Sequence, residues 1–168
     1  SSERRAGAVI SPHAIIHRSA QLGVDVEIGP WTLIGPDVQI GDRTVVHSHA
    51  VIKGPTVIGA DNRIFQFASV GEDTPDMKYQ GEPTRLVIGD HNIIREGATI
   101  HRGTVQDRAE TTIGNHNLIM SYVHIGHDCE LGDHIILINN ASLAGHVKIA
   151  DWAFLSGFSM ILQRIHVG

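Results

Sequence analysis

Residues 22–41 read Leu22-Gly23-Val24-Asp25-Val26-Glu27-Ile28-Gly29-Pro30-Trp31-Thr32-Leu33-Ile34-Gly35-Pro36-Asp37-Val38-Gln39-Ile40-Gly41. An aliphatic residue returns at every sixth place (Leu22, Ile28, Ile34, Ile40), and a glycine follows each one. The same frame runs back through Ile16 to Ile10 and forward through Val46, Ile52, Ile58 and Ile64 to Val70. It resumes at Ile88, Ile94 and Ile100, slips by one, and continues from Ile113 through Ile125, Leu131 and Leu143 to Val167. All 24 frame positions in these three runs are aliphatic. Four places after each comes a small or medium side chain, as at Ala14, Ala20, Val26, Thr32, Val38, Thr44 and Ala50. A period of six fits neither a 3.6-residue helix nor a heptad. One large and one small inward side chain per short strand, then a corner, describes a narrow tube. The recurrent glycine is expected to serve a corner that needs φ > 0.

Hexapeptide periods of this kind are the signature of a parallel β-helix. The fold class is therefore all-β. With three strands to a coil of 18 residues, the chain makes about nine coils, a prism on the order of 40 Å long at ~4.8 Å per coil. A tube this narrow also explains why only 5% of the 168 residues are aromatic while 18 are glycine. Residues 1–8 read as an N-terminal extension or tag remnant ahead of a β-helix at 9–168.

Composition excludes several classes. With 42% hydrophobic and 18% charged residues, the chain is neither a disordered acidic tail nor a membrane-spanning protein, and no apolar run approaches the ~20 residues of a spanning helix. Ser1-Ser2-Glu3-Arg4-Arg5 has no apolar stretch behind it, so no secretory signal is expected. The net charge is −5 and the 13 Lys and Arg do not cluster, which leaves no grip for nucleic-acid phosphates. The single cysteine, Cys129, cannot form an internal disulfide and points to a reducing, cytoplasmic setting.

The repeat breaks twice. Across 71–87 the frame would fall on Asp76 and Glu82, which cannot line an apolar tube. Val70 and Ile88 are nevertheless 18 residues apart, so the chain is expected to make a polar excursion and rejoin in register. Across 101–111 one extra residue enters the frame. Loops ejected from a solenoid are where function concentrates, and the first carries Asp76 and Lys78 together.

Of 12 histidines, His13, His47, His91, His116 and His134 fall at outward or corner positions. His101, His124, His127 and His146 gather in the middle third of the tube. Adding one coil to His127 gives Gly145, and adding one to Asp128 gives His146, so these four should form one patch. A neutral imidazole can take a proton from a hydroxyl, an adjacent carboxylate can fix its tautomer, and a glycine N–H can face a developing oxyanion. Ordinary surface histidines are the alternative. A zinc site of the γ-class carbonic anhydrase type is a rival, but it expects a His-x4-His pair, and no two histidines here are five apart. Cys129 takes the small inward position of its hexad and reads as core.

Several motifs occur in order: Asp76-Met77-Lys78-Tyr79, Gly81-Glu82-Pro83-Thr84-Arg85, Ile100-His101-Arg102-Gly103-Thr104, His124-Ile125-Gly126-His127-Asp128-Cys129, Asn139-Asn140-Ala141 and Leu143-Ala144-Gly145-His146-Val147. Together they resemble the UDP-N-acetylglucosamine O-acyltransferase family of lipid A biosynthesis over nearly the whole chain. The resemblance implies a left-handed β-helix, contrary to the usual right-handed crossover, assembled as a homotrimer. It implies transfer of a 3-hydroxyacyl group from acyl carrier protein to the sugar 3-hydroxyl of UDP-N-acetylglucosamine, the first step of lipid A biosynthesis, with no cofactor and no metal. His127 would be the base, Asp128 its orienting partner and Gly145 the oxyanion donor. Asp76, Lys78, His124, His146 and Gln163 would bind substrate. The chain departs from the family at Leu162-Gln163-Arg164, where His-Gln-Phe is usual, and at Pro75, where glutamine is usual. It also ends at Gly168, where family members continue through further coils and a helical region, so an open coil edge at Val167 is expected. A weakly active or inactive β-helix scaffold that binds nucleotide sugar is the alternative function.

Overall fold

A computed structural model describes residues 7–74, 77, 84–105 and 108–168. Every regular element is a short strand, and among the described residues no helix is long and apolar enough to cross a membrane. The strands stack into three parallel sheets of eight, the faces of a triangular prism. The first face runs from Val9–Ile10 to Phe154–Leu155, the second from Ile15–Ile16 to Met160–Ile161, and the third from Gln21–Leu22 to His166–Val167. This is the expected left-handed parallel β-helix, with eight coils rather than nine.

The missing coil lies in the excursions. Val70 is on the second face and Ile88 on the third, so the whole stretch between them advances the chain by one face, not by one full coil. A single hexad would have sufficed, and the excess is the length of two more. Ile100 and Ile113 are likewise neighbours across one corner, where the excess is one hexad and one further residue. Contacts between adjacent coils record both changes. The sequence separation of such partners is 18 for Arg43 and Asp61, 30 for Asn62 and Asn92, and 25 for Asn92 and Asn117. The strand register agrees, with Arg63 beside Ile93 and Ile93 beside Leu118. Strand pairing also narrows the breaks, since Ser69–Glu72 and Arg85–Ile88 are strands, as are Thr99–His101 and Glu110–Ile113.

The frame residues point inward as the period requires. Ile34, Ile52, Ile64, Ile94, Ile100 and Ile125 are at most 1% exposed, and among the described residues the buried apolar core contains no Phe, Trp or Tyr. One inward column is polar. Asn62, Asn92 and Asn117 stack inside the tube, each side chain bonded to the coil above (Asn92 Nδ2 to Gly114 O, 2.8 Å; Asn117 N–H to Asn92 Oδ1, 2.9 Å). This ladder crosses the two coils whose lengths the excursions change. It satisfies buried backbone groups that would otherwise be unpaired.

The glycines serve a different purpose from the one expected. Apart from Gly71, those that follow the frame residue do not have positive φ. Most are small because the next coil closes over them: a Cβ on Gly41 would sit 2.6 Å from the Gly59 carbonyl carbon, and one on Gly114 would sit 2.5 Å from Gly132 O. The left-handed conformation falls two residues later, at Asp25, Asp37, His49, Asp61, His91, His116, Asp128, His134, Asn140 and His146 among others. Asp, Asn and His tolerate that conformation better than most residues. Five of the 12 histidines are therefore corner residues by backbone geometry. Three of them, His91, His116 and His134, stack one on the next along the outside of the prism, with His134 in turn on Trp152, at centroid distances of 4.1–5.0 Å.

Candidate active site

Both excursions leave the prism at one corner, between the second and third faces, on successive coils. The next two coils place Asp128 and His146 at the left-handed position of the same corner, with φ of 59° and 63°. Four coils thus contribute to one site because the repeat stacks equivalent positions above one another.

The patch expected from the one-coil spacing forms. His146 N–H donates to His127 O at 2.9 Å, and the two imidazoles meet edge to face with centroids 4.9 Å apart. His127 Nδ1 lies 2.9 Å from Asp128 Oδ2, and His146 Nε2 lies 4.0 Å from the same oxygen. The Asp128 side chain is fully buried. Burial alone would push its carboxyl upward, but hydrogen bonds from His127 and from Thr104 outweigh this and hold it below the ordinary carboxylate range. An ionised Asp128 makes His127 Nδ1 the protonated nitrogen and Nε2 the basic one.

Gly145 is buried directly against the His127 ring. Any Cβ there would collide with Cε1 and Nε2 of the imidazole. Its N–H is one the ladder does not need, because proline, which has no N–H, fills the equivalent place at Pro12, Pro30 and Pro36. A donor close to the basic nitrogen is what an oxyanion site requires.

His124 is part-buried on the second face, its Nδ1 2.9 Å from Thr99 Oγ1. Burial, followed by the neighbouring charges of His101 and His127, lowers its pKa. His101 packs against it with ring centroids 5.1 Å apart and holds Asp73 O through Nδ1 at 2.7 Å. Gln163 stands one coil beyond Gly145 at the same corner and is exposed. Asp76 and Lys78, like Pro75, lie outside the described residues. Cys129 is core as expected: its Sγ contacts Ala144 O, and burial pushes the thiol up to about 12.

His127, Asp128 and His146 have the residue types of a metal site, with ligand atoms within 4.8 Å of one another. The coordination chemistry goes against it. Asp128 Oδ1 accepts the Thr104 N–H, and Oδ2 accepts the Thr104 hydroxyl and His127 Nδ1. A metal would have to displace these bonds to reach the carboxylate, and zinc needs three or four converging ligands.

Sequence reasoning missed Thr104, Thr111 and the Arg102 anchor. Arg102 sends its guanidinium to Gly54 O and its N–H to Glu72 O, and Glu72 in turn pairs with Lys53 at 2.7 Å. The two excursions are thereby tied to the prism and to each other. Nothing in a six-residue period signals contacts made by residues that have left it.

Residues 19–54 and 110–137 match the family model for bacterial transferase hexapeptide (six repeats). Over 161 residues the chain is 66% identical to the acyl-[acyl-carrier-protein]–UDP-N-acetylglucosamine O-acyltransferase of Stutzerimonas stutzeri, covering 96% of this chain and 62% of that one. Over nearly its whole length it is similar to UDP-N-acetylglucosamine O-acyltransferases. The corresponding enzyme of Pseudomonas aeruginosa is 65% identical over the same shares of each chain. Among solved structures, the Francisella novicida UDP-N-acetylglucosamine acyltransferase superposes with a TM-score of 0.94 at 48% identity, covering 95% of this chain and 58% of that one. The Moraxella catarrhalis O-acyltransferase gives 0.92 at 51%, covering 94% and 62%. The chain therefore spans about three-fifths of the length of the relatives it matches.

Proposed function

We propose that this chain carries the acyl-transfer centre of an acyl-[acyl-carrier-protein]–UDP-N-acetylglucosamine O-acyltransferase. The observation that supports this reading is the buried His127–Asp128 dyad closed against the Gly145 backbone. His127 Nε2 takes the proton from the glucosamine 3-hydroxyl of UDP-N-acetylglucosamine as that oxygen attacks the thioester carbonyl of a 3-hydroxyacyl carrier protein. The tetrahedral oxyanion accepts the Gly145 N–H. Collapse breaks the C–S bond, and the imidazolium returns its proton to the departing carrier thiolate, leaving a 3-O-acyl ester. Asp128 stays ionised throughout and stabilises the imidazolium.

Asp76, Lys78 and Gln163 bind the nucleotide sugar, and His124 and His146 line the pocket. The enzyme works in the cytoplasm as a homotrimer, without cofactor or metal, and inserts into no membrane. The test is transfer from a 3-hydroxyacyl carrier protein to radiolabelled UDP-N-acetylglucosamine beside His127→Ala. Turnover that disappears in the variant while nucleotide-sugar binding persists establishes the base. A folded chain that binds UDP-N-acetylglucosamine without turnover would be a scaffold, and equal loss of binding and turnover would remove His127 from the chemistry.

A further inference from the structure

We infer that Thr104 is a positioning residue of the His127–Asp128 dyad, and that the second excursion is shaped to deliver it. The inference rests on the acyltransferase reading of that dyad for its kinetic consequences.

Thr104 is 2% exposed and spends both of its donors on one carboxylate. Its N–H reaches Asp128 Oδ1 and Oδ2 at 2.9 and 3.0 Å, and its hydroxyl reaches Oδ2 at 2.5 Å. The backbone beneath Asp128 departs from the repeat in a matching way. At most other corners the left-handed residue donates its N–H to a carbonyl one coil below, as His116 does to Asp90 O and His146 to His127 O, while Asp37 donates to Ser19 Oγ. Asp128 instead donates to Thr111 Oγ1 at 2.9 Å. Thr104 and Thr111 flank the added length of the excursion. Ala109 N–H closes it onto Thr104 O at 2.8 Å, and Gly103 N–H ties it to Arg85 O at 3.2 Å.

The carboxylate is therefore gripped from the coil below by two donors and bonded to His127 through Oδ2. Two consequences follow from charge-assisted bonding. The carboxylate cannot turn away from Nδ1, which fixes where Nε2 points. Its charge is also shared between Thr104 and His127, which sets how strongly it holds a proton on the imidazole.

The experiment compares Thr104→Val, which removes only the hydroxyl, with Thr104→Ser, which restores it, both in the full chain. A hydrogen bond to a charged group is worth ~1.5–3 kcal/mol, so kcat should fall about 10-fold in Thr104→Val with KM for the nucleotide sugar unchanged. The acid limb of the pH–rate profile should move to higher pH, because a carboxylate freed of a competing donor holds the imidazolium more tightly. Thr104→Ser should restore both. A purely structural threonine would lower the yield or melting temperature and leave the limb in place. The same shift is read without substrates, from the 15N titration of the His127 ring. A superimposable titration in wild type and Thr104→Val, or a Thr104→Ser that does not rescue, overturns the inference. If the wild-type chain transfers no acyl group but the titration still moves, the acyltransferase reading fails and the positioning role stands.

Discussion

Asp128→Asn should leave the fold intact and remove the base by reversing the tautomer of its neighbour. The substituted amide has one oxygen and one NH2 to present to two sites. At the Oδ1 position waits the Thr104 N–H, and at the Oδ2 position the Thr104 hydroxyl and His127 Nδ1. Giving the oxygen to His127 would aim the NH2 at the Thr104 N–H and leave buried donors facing each other, at a cost of ~1–3 kcal/mol per unpaired group. The amide therefore keeps its oxygen on Thr104 and donates to Nδ1, which places the imidazole proton on Nε2. Each ~1.4 kcal/mol of that preference is a factor of ten in the population of the basic tautomer. The imidazolium also loses the carboxylate that stabilised it. Together these should lower kcat by about 10²–10⁴. The assay is steady-state acyl transfer across neutral pH, with circular dichroism as the control for fold and KM for UDP-N-acetylglucosamine as the control for binding. A folded variant within fivefold of wild-type kcat would refute the reasoning, as would a 15N spectrum showing His127 still protonated at Nδ1.

Gly145→Ala should abolish turnover while retaining the β-helix, because the methyl must displace the His127 ring and covers the approach to the amide; activity and circular dichroism of the same sample decide it. Asn92→Ala removes the bonds to Gly114 O and Asn117 N–H. The two orphaned groups can bond to each other as Ala153 N–H and Ala150 O do, so the net loss is about one buried bond, or ~1–3 kcal/mol, measured by urea unfolding. Asp128 is held below its ordinary range by folding, so the stability it contributes is present above the unfolded carboxylate pKa of ~3.9 and is lost as pH falls through the folded value. Urea midpoints between pH 3 and 6 should therefore fall with acid more steeply in wild type than in Asp128→Asn.

The sequence by itself determined the architecture, because the period of six is the physical requirement of the tube. Each strand must send one large and one small side chain inward, and each coil touches only its neighbours. Wherever the period is unbroken, position on the prism follows from counting. Counting alone places His127 over Gly145, and Asp128 over His146. The glycine column was equally visible, although the cause at most of its positions, the close passage of the next coil's backbone, is a property of stacking that no single hexad displays.

Only the tertiary structure decided what happens across the excursions. A loop that leaves the tube obeys closure, not the period, so its length carries no information about which face it rejoins. The first excursion adds the length of two whole hexads, and so keeps the frame while advancing one face instead of a coil. After the second, the one-coil separation becomes 25, as between Thr99 and His124, and the Thr104–Asp128 contact spans 24. The dyad was therefore legible from the repeat, and the residues that hold its carboxylate were not, because they reach it from chain that has left the repeat.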